Sequence, residues 1–129
     1  MIDDDLTCEQ RDHTPPTAIW LPLRRDLETA AEMFRALADP LRLRLLSRLA
    51  VGEACVTELA ALEGDKLTTI SARLQALHGA RLVKRRRDAR HVFYALADEH
   101  VLLLVQSAIG HATERTAADQ APVNIKETK

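Results

Sequence analysis

The stretch Leu82-Val83-Lys84-Arg85-Arg86-Arg87-Asp88-Ala89-Arg90-His91-Val92-Phe93-Tyr94-Ala95-Leu96 decides the fold. Its ends carry β-branched and aromatic residues, and its centre, Arg87-Asp88-Ala89-Arg90, has turn composition, so it reads as two short strands joined by a turn. The hairpin is unusually basic. From Arg73 to Arg90 lie Arg73, Arg81, Lys84, Arg85, Arg86, Arg87 and Arg90, opposed only by Asp88, whereas the first twelve residues carry Asp3, Asp4, Asp5, Glu9 and Asp12. The formal net charge of −1 therefore hides a concentrated positive segment, of the kind a nucleic-acid surface uses. A solvated charge run is the plainer alternative, and what precedes the hairpin argues against it.

Working toward the N-terminus, a short helix is expected at about 56–62, closed by the turn around Glu63-Gly64-Asp65. A second runs from near Lys66 through Ile70, Leu74 and Leu77 to about Gly79. Two short helices with a tight Gly-containing turn form a helix-turn-helix. The second presents Thr68, Thr69, Ser71, Arg73 and Gln75, side chains able to donate to phosphates and base edges. A basic hairpin directly after such a pair is the wing of a winged helix, so Lys84, Arg85, Arg86, Arg87 and Arg90 join the candidate DNA contacts. Further upstream, Leu27, Ala30, Ala31, Phe34 and Leu37 recur at helical spacing over 24–38, and Asp39-Pro40 supplies an N-cap and a first-turn proline for a helix ending near Val51 and Gly52.

The chain has 129 residues, enough for one domain in which dimerisation contributes much of the stability. Hydrophobic content is 47% but aromatic content only 3%, so the core is built from Leu, Ala, Val and Ile and helix dominates. The expected architecture is mainly α with a small β-hairpin, dimeric through its terminal helices. Residues 1–22, acidic and interrupted by Pro15, Pro16 and Pro22, read as a flexible arm with Trp20 anchoring its end. The winged domain occupies 23–118, and 119–129 reads as a disordered tail. No apolar run reaches the ~20 residues that cross a bilayer, and the acidic start is unlike a signal peptide, so a cytoplasmic protein without a membrane partner is expected.

The last helix, expected over 98–118, adds a second chemistry. Asp98 and His100 stand at its start, His111 and Glu114 near its end. Eleven residues separate the two histidines, about 16 Å along a helix but only about 20° around it. One helix therefore cannot bring the pairs to one ion, whereas two antiparallel copies could join Asp98 and His100 of one subunit to His111 and Glu114 of the other. Two carboxylates and two imidazoles make a closed tetrahedral set for zinc, with cobalt or cadmium as alternatives. Plainer readings exist: Asp98 as a helix N-cap, and His111 with Glu114 as a solvated pair one turn apart. A catalytic zinc site is disfavoured, because it keeps one position open in a pocket and no nucleophile motif or Gly-rich loop accompanies these ligands.

Taken together, Phe34-Arg35-Ala36-Leu37-Ala38-Asp39-Pro40-Leu41-Arg42-Leu43-Arg44-Leu45-Leu46, Cys55-Val56-Thr57-Glu58-Leu59-Ala60 and Gly79-Ala80-Arg81-Leu82-Val83 leading into Arg90-His91-Val92-Phe93-Tyr94-Ala95-Leu96 resemble the ArsR/SmtB family of dimeric, metal-sensing winged-helix repressors over about residues 27–116. The resemblance implies that the apo homodimer binds palindromic, double-stranded operator DNA and that metal weakens this. In the zinc-sensing branch an Asp-x-His pair meets a His-x-x-Glu or His-x-x-His pair between the terminal helices, which Asp98, His100, His111 and Glu114 match. Two departures stand out. Ala72-Arg73 replaces a His-Gln pair common in relatives, so the operator sequence does not carry over, and Cys55-Val56-Thr57 lacks the Cys-x-Cys of cadmium and lead sensors. A second mixed site from Cys8, His13, Cys55 and Glu58 resembles the arm site of some zinc sensors. The alternatives are that Cys55 is a small buried residue, or that Cys8 and Cys55 sense thiol oxidation.

Overall fold

The structure, a computed structural model, describes residues 20–119, with side chains to residue 117. Nearly all of the expected arm and tail lie outside the described residues. Within the described residues five helices and three strands follow in order: α1 (Arg24–Leu37), α2 (Pro40–Leu49), β1 (Ala54–Cys55), α3 (Val56–Glu63), α4 (Leu67–Gly79), β2 (Val83–Asp88), β3 (His91–Leu96) and α5 (Glu99–Asp119). This is a winged helix-turn-helix, with α3 and α4 as the helix pair and β2–β3 as the wing.

Local chemistry sets the boundaries. Asp39 accepts from the Arg42 amide at 2.9 Å, and Pro40, whose missing N–H costs nothing at that position, opens α2. Gly64 ends α3 in the left-handed region at φ 69°, where the absence of a Cβ matters, and its N–H and that of Asp65 both bond to the Ala60 carbonyl. The end of α4 is different. The left-handed position is two residues beyond Gly79, at Arg81 (φ 64°), where the Leu82 N–H reaches the Leu77 carbonyl at 3.0 Å. Glycine thus marks the helix end in the sequence without occupying the strained site.

Leu45, Leu46, Leu59, Ile70, Leu74, Leu77 and Leu82 are fully buried where α2, α3 and α4 meet. Tyr94 from β3 and Val101 and Val105 from α5 close the same cluster. The Ala97 N–H bonds to the Leu82 carbonyl at 3.0 Å and ties the end of β3 to the start of the wing.

The expected hairpin is present, and the structure adds a strand to it. The sheet has three strands in the order β1-β3-β2, all antiparallel, because Ala54 and Cys55 pair with Tyr94 and Phe93. A two-residue strand is too short to leave a periodic signal, and the free edge of β3 supplies its ladder partners. Trp20 is 83% exposed, so it is not packed into the core of the described residues. The apolar face of α1 is split: Leu37 is buried and Met33 and Ala36 pack on the core, while Leu27 and Phe34, with Leu23 just before the helix, face outward. Among the described residues no helix is long and apolar enough to cross a membrane.

Candidate functional site

The metal-type ligands sit on the side of α5 turned away from its own core. Val101 and Val105 are buried against the domain, whereas His100, Leu103, His111 and Glu114 are exposed. Asp98 caps the helix: its Oδ1 accepts from the amides of His100 at 2.9 Å and Val101 at 3.2 Å. The same oxygen lies 3.5 Å from His100 Nδ1, so capping and pairing with the imidazole occur together. His111 and Glu114 lie one turn apart, about three turns further along. Among the described residues, no three His, Cys, Asp or Glu side chains of one protomer converge on a common ion position. The chain therefore brings each pair together locally and leaves the two pairs apart.

At the possible second site, Cys55 is buried at the junction of β1 and α3, and its backbone N–H donates to Glu58 Oε1 at 3.0 Å. That carboxylate is thus engaged in closing the first turn of α3. Cys8 and His13 lie outside the described residues.

On the reading face, Thr68 and Gln75 are exposed on α4, and Thr69 and Ser71 are half-buried. Arg73 points elsewhere: its Nη1 bonds to Asp65 Oδ2 in the turn at 3.0 Å, and only 21% of its side chain is exposed. On the wing, Lys84, Arg85, Arg87 and Arg90 are exposed and have no ion-pair partner among the described residues. Arg86 is held. It donates twice to Glu53, Nε to Oε2 and Nη2 to Oε1, both at 2.8 Å, and its guanidinium lies 4.5 Å from the Phe93 ring centre.

A groove of about 310 Å³ separates the wing from the helix pair, lined by Val56, Thr57, Leu67, Thr68, Ser71, Arg90, His91 and Val92. Thr57 and His91 were missed by the sequence reading. Each is unremarkable in its own segment, and only the pairing of β3 with β1 carries them to the same rim as Thr68 and Ser71.

Behind the reading face, Glu63 at the end of α3 is almost completely enclosed and accepts from Arg44 at 3.2 Å and from Arg48. Burial pushes its carboxyl pKa up, but hydrogen bonds from Arg48 and Arg44, with their charges, outweigh this and leave it below the ordinary value. The triad locks α2 to α3, the scaffold on which α4 is presented.

Comparison with known proteins agrees with this geometry. Residues 39–85 match the bacterial regulatory protein, arsR family. The chain is 49% identical over 84 residues to a transcriptional repressor SmtB homolog of Synechocystis, covering 65% of this chain and 64% of that protein, just under two thirds of its length. It is 36% identical over 99 residues to the HTH-type transcriptional repressor SmtB of Mycobacterium tuberculosis, covering 77% and 73%. Among solved structures, the homodimeric winged helix-turn-helix DNA-binding domain of a possible ArsR-family transcriptional regulator from Mycobacterium bovis superposes with a TM-score of 0.67 at 36% identity, covering 75% of this chain and 92% of that one. With the helix pair, the wing and the terminal helix all in place, the chain belongs to the ArsR/SmtB family of winged-helix transcriptional regulators.

Proposed function

We propose that the protein is a metal-responsive transcriptional repressor, working in the cytoplasm as a homodimer on operator DNA, with zinc as its effector. The observation that carries this reading is the split ligand set: Asp98 with His100 at the start of α5, and His111 with Glu114 further along it, are exposed, and among the described residues neither pair is completed within its own protomer.

The donors fit a zinc-type ion. Two imidazoles and two carboxylates satisfy a tetrahedral N/O set without requiring a thiolate. The exposed apolar side chains of α1 and α5, Leu23, Leu27, Phe34 and Leu103, supply the surface on which two copies meet. In an antiparallel arrangement of the α5 helices, Asp98 and His100 of one copy face His111 and Glu114 of the other, so a bound ion supplies a cross-link between subunits. In this reading Thr68, Ser71 and Gln75 meet the major groove, and Lys84, Arg85, Arg87 and Arg90 meet phosphates. The two-fold axis then presents two reading heads to a palindromic site. A cross-link that favours one relative orientation of the subunits changes the spacing of those heads, a coupling typically worth about 1–3 kcal/mol and necessarily reciprocal.

The test uses a duplex selected by the metal-free protein from a random-sequence library. Its affinity is measured with chelator and then with zinc. Weakening of about 5-fold to 150-fold is expected, and His111→Gln is expected to bind the duplex as wild type but to lose the response. Equal affinities with and without zinc would refute the reading.

A further inference from the structure

The sheet register explains an ion pair that sequence spacing does not foretell. Cys55 pairs with Phe93 and Phe93 with Arg86, so these three residues form one rung across β1, β3 and β2 and share a face. Glu53 precedes Cys55 by two and projects toward the same side. Its carboxylate and the Arg86 guanidinium therefore meet above Phe93, bridging two strands that are about 10 Å apart because β3 lies between them. The contact is bidentate, 2.8 Å on each arm, and is completed by the 4.5 Å stack on the Phe93 ring. Hydrogen bonding from Arg86 holds the Glu53 carboxyl below its ordinary value; desolvation opposes it, and the charges of Arg86 and Lys84 add to the lowering. The Asp88 carboxylate, at the tip of the same strand, lies 3.9 Å from the other guanidinium nitrogen.

Arg86 is thus set apart from its neighbours. Arg85 and Arg87 flank it in sequence and, exposed like Arg86 itself, differ from it in lacking ion-pair partners among the described residues. We propose that Glu53 is a positioning residue for the DNA-contacting wing: by clamping Arg86 across Phe93 it fixes the hairpin on β1, and it withdraws Arg86 from the side chains that meet phosphate. The proposal rests on the DNA-binding reading above and adds to it a division of labour within the basic run. One arginine orients the wing, and its neighbours contact the nucleic acid.

Electrostatics alone and positioning give opposite signs for one variant. Glu53→Ala removes a negative charge beside the wing, which by charge alone strengthens DNA binding. If Glu53 positions the wing, the same change weakens it. The assay is fluorescence anisotropy of the full-length dimer on a mixed-sequence duplex of about 30 base pairs, chosen because it spans the two reading heads about one helical turn apart, over a series of potassium chloride concentrations. Glu53→Ala is expected to bind several-fold more weakly and to show faster hydrogen exchange at β2 and β3 amides. Arg86→Gln is expected to keep the wild-type slope of log affinity against log salt, whereas Arg87→Gln flattens it by about 0.9 for each phosphate no longer neutralised. Binding by Glu53→Ala as tight as wild type, or a slope in Arg86→Gln as flat as in Arg87→Gln, would overturn the assignment. Wild-type protein that binds no duplex at any salt would instead overturn the DNA-binding reading, and the assignment with it; unchanged wing exchange in Glu53→Ala would remove the clamp alone.

Discussion

Asp98 caps α5 in this structure and is proposed above as a metal ligand, and two substitutions separate the two roles. Its Oδ1 accepts from the His100 and Val101 amides at 2.9 and 3.2 Å, satisfying two donors at the start of α5 that would otherwise have no partner. Asp98→Ala removes that acceptor. Loss of such a cap costs about 1 kcal/mol, which for a domain of about 100 residues lowers the melting temperature by roughly 4–8 °C. Asp98→Asn keeps an oxygen in the same place and loses only the charge near the helix N-terminus. The side chain is more than half exposed, so that loss falls near the low end, about 0.3 kcal/mol. For metal the two variants are equivalent, since neither retains a carboxylate. Both should lose more affinity than the roughly 10–100-fold that follows removal of an outer-shell partner. Melting is measured with chelator at one fixed protein concentration, because dimer stability depends on it, and zinc affinity by competition with a chromophoric chelator. Zinc binding by Asp98→Asn at wild-type affinity would refute the ligand role. A melting temperature of Asp98→Ala equal to wild type would refute the capping role, and with it the account of how α5 begins.

Two further predictions concern the scaffold. The folded Glu63 carboxyl lies below its ordinary value of 4.5, so its stabilisation is fully present above that pH and is lost as pH falls through the folded value; the acid limb of wild-type stability, followed by circular dichroism, should be steeper than that of Glu63→Gln. At pH 7 Glu63→Gln should cost about 2 kcal/mol, below the usual figure for a broken buried pair because Arg44 and Arg48 remain partly solvated. Arg81→Gly should raise stability by about 0.5–1 kcal/mol in urea unfolding, since the left-handed φ then costs nothing and outweighs the greater freedom of glycine in the unfolded chain, while Arg81→Ala should give no gain.

The parts of the fold that were legible in the sequence are those whose cause is local. Leucines at helical spacing announce α2 and α4, Asp39-Pro40 announces the start of α2, and Gly64 announces the turn, because each acts within a few residues of itself. Strand β1 was not legible, since two residues carry no period and its existence depends on the edge that β3 offers. The strained turn after α4 was concealed too: Gly79 draws attention to itself, and Arg81, which nothing in its composition marks, takes the left-handed position. The ligand pairs divide along the same line. Asp98 with His100, and His111 with Glu114, are recognisable because the members of each pair lie within three residues, while the proposed convergence of the pairs would need a second chain and so leaves no trace among the described residues of one protomer.

The basic run shows what such reading overcounts. Seven cations lie between Arg73 and Arg90, and each looks equivalent until its carboxylate partner is known. Asp65 comes from the turn before α4, eight residues from Arg73, and Glu53 comes from beyond a strand, 33 residues from Arg86. Neither pairing is visible as a sequence spacing, yet each gives a candidate DNA contact a partner within the protomer. Arg73 secures the reading helix to its turn, and Arg86 secures the wing to the sheet. Among the described residues Lys84, Arg85, Arg87 and Arg90 then form the wing's free cationic set, with Arg81 exposed at its base. The fastened pair does a different job from the free set: order in the reading helix and wing is what makes a small set of phosphate contacts geometrically specific, since side chains on a loose hairpin would give up in ordering entropy much of what each contact returns. A reading head with fewer free charges on a better-held frame is also the kind that a change in subunit orientation can disengage, because rigid heads misplaced together cannot re-form their contacts one side chain at a time.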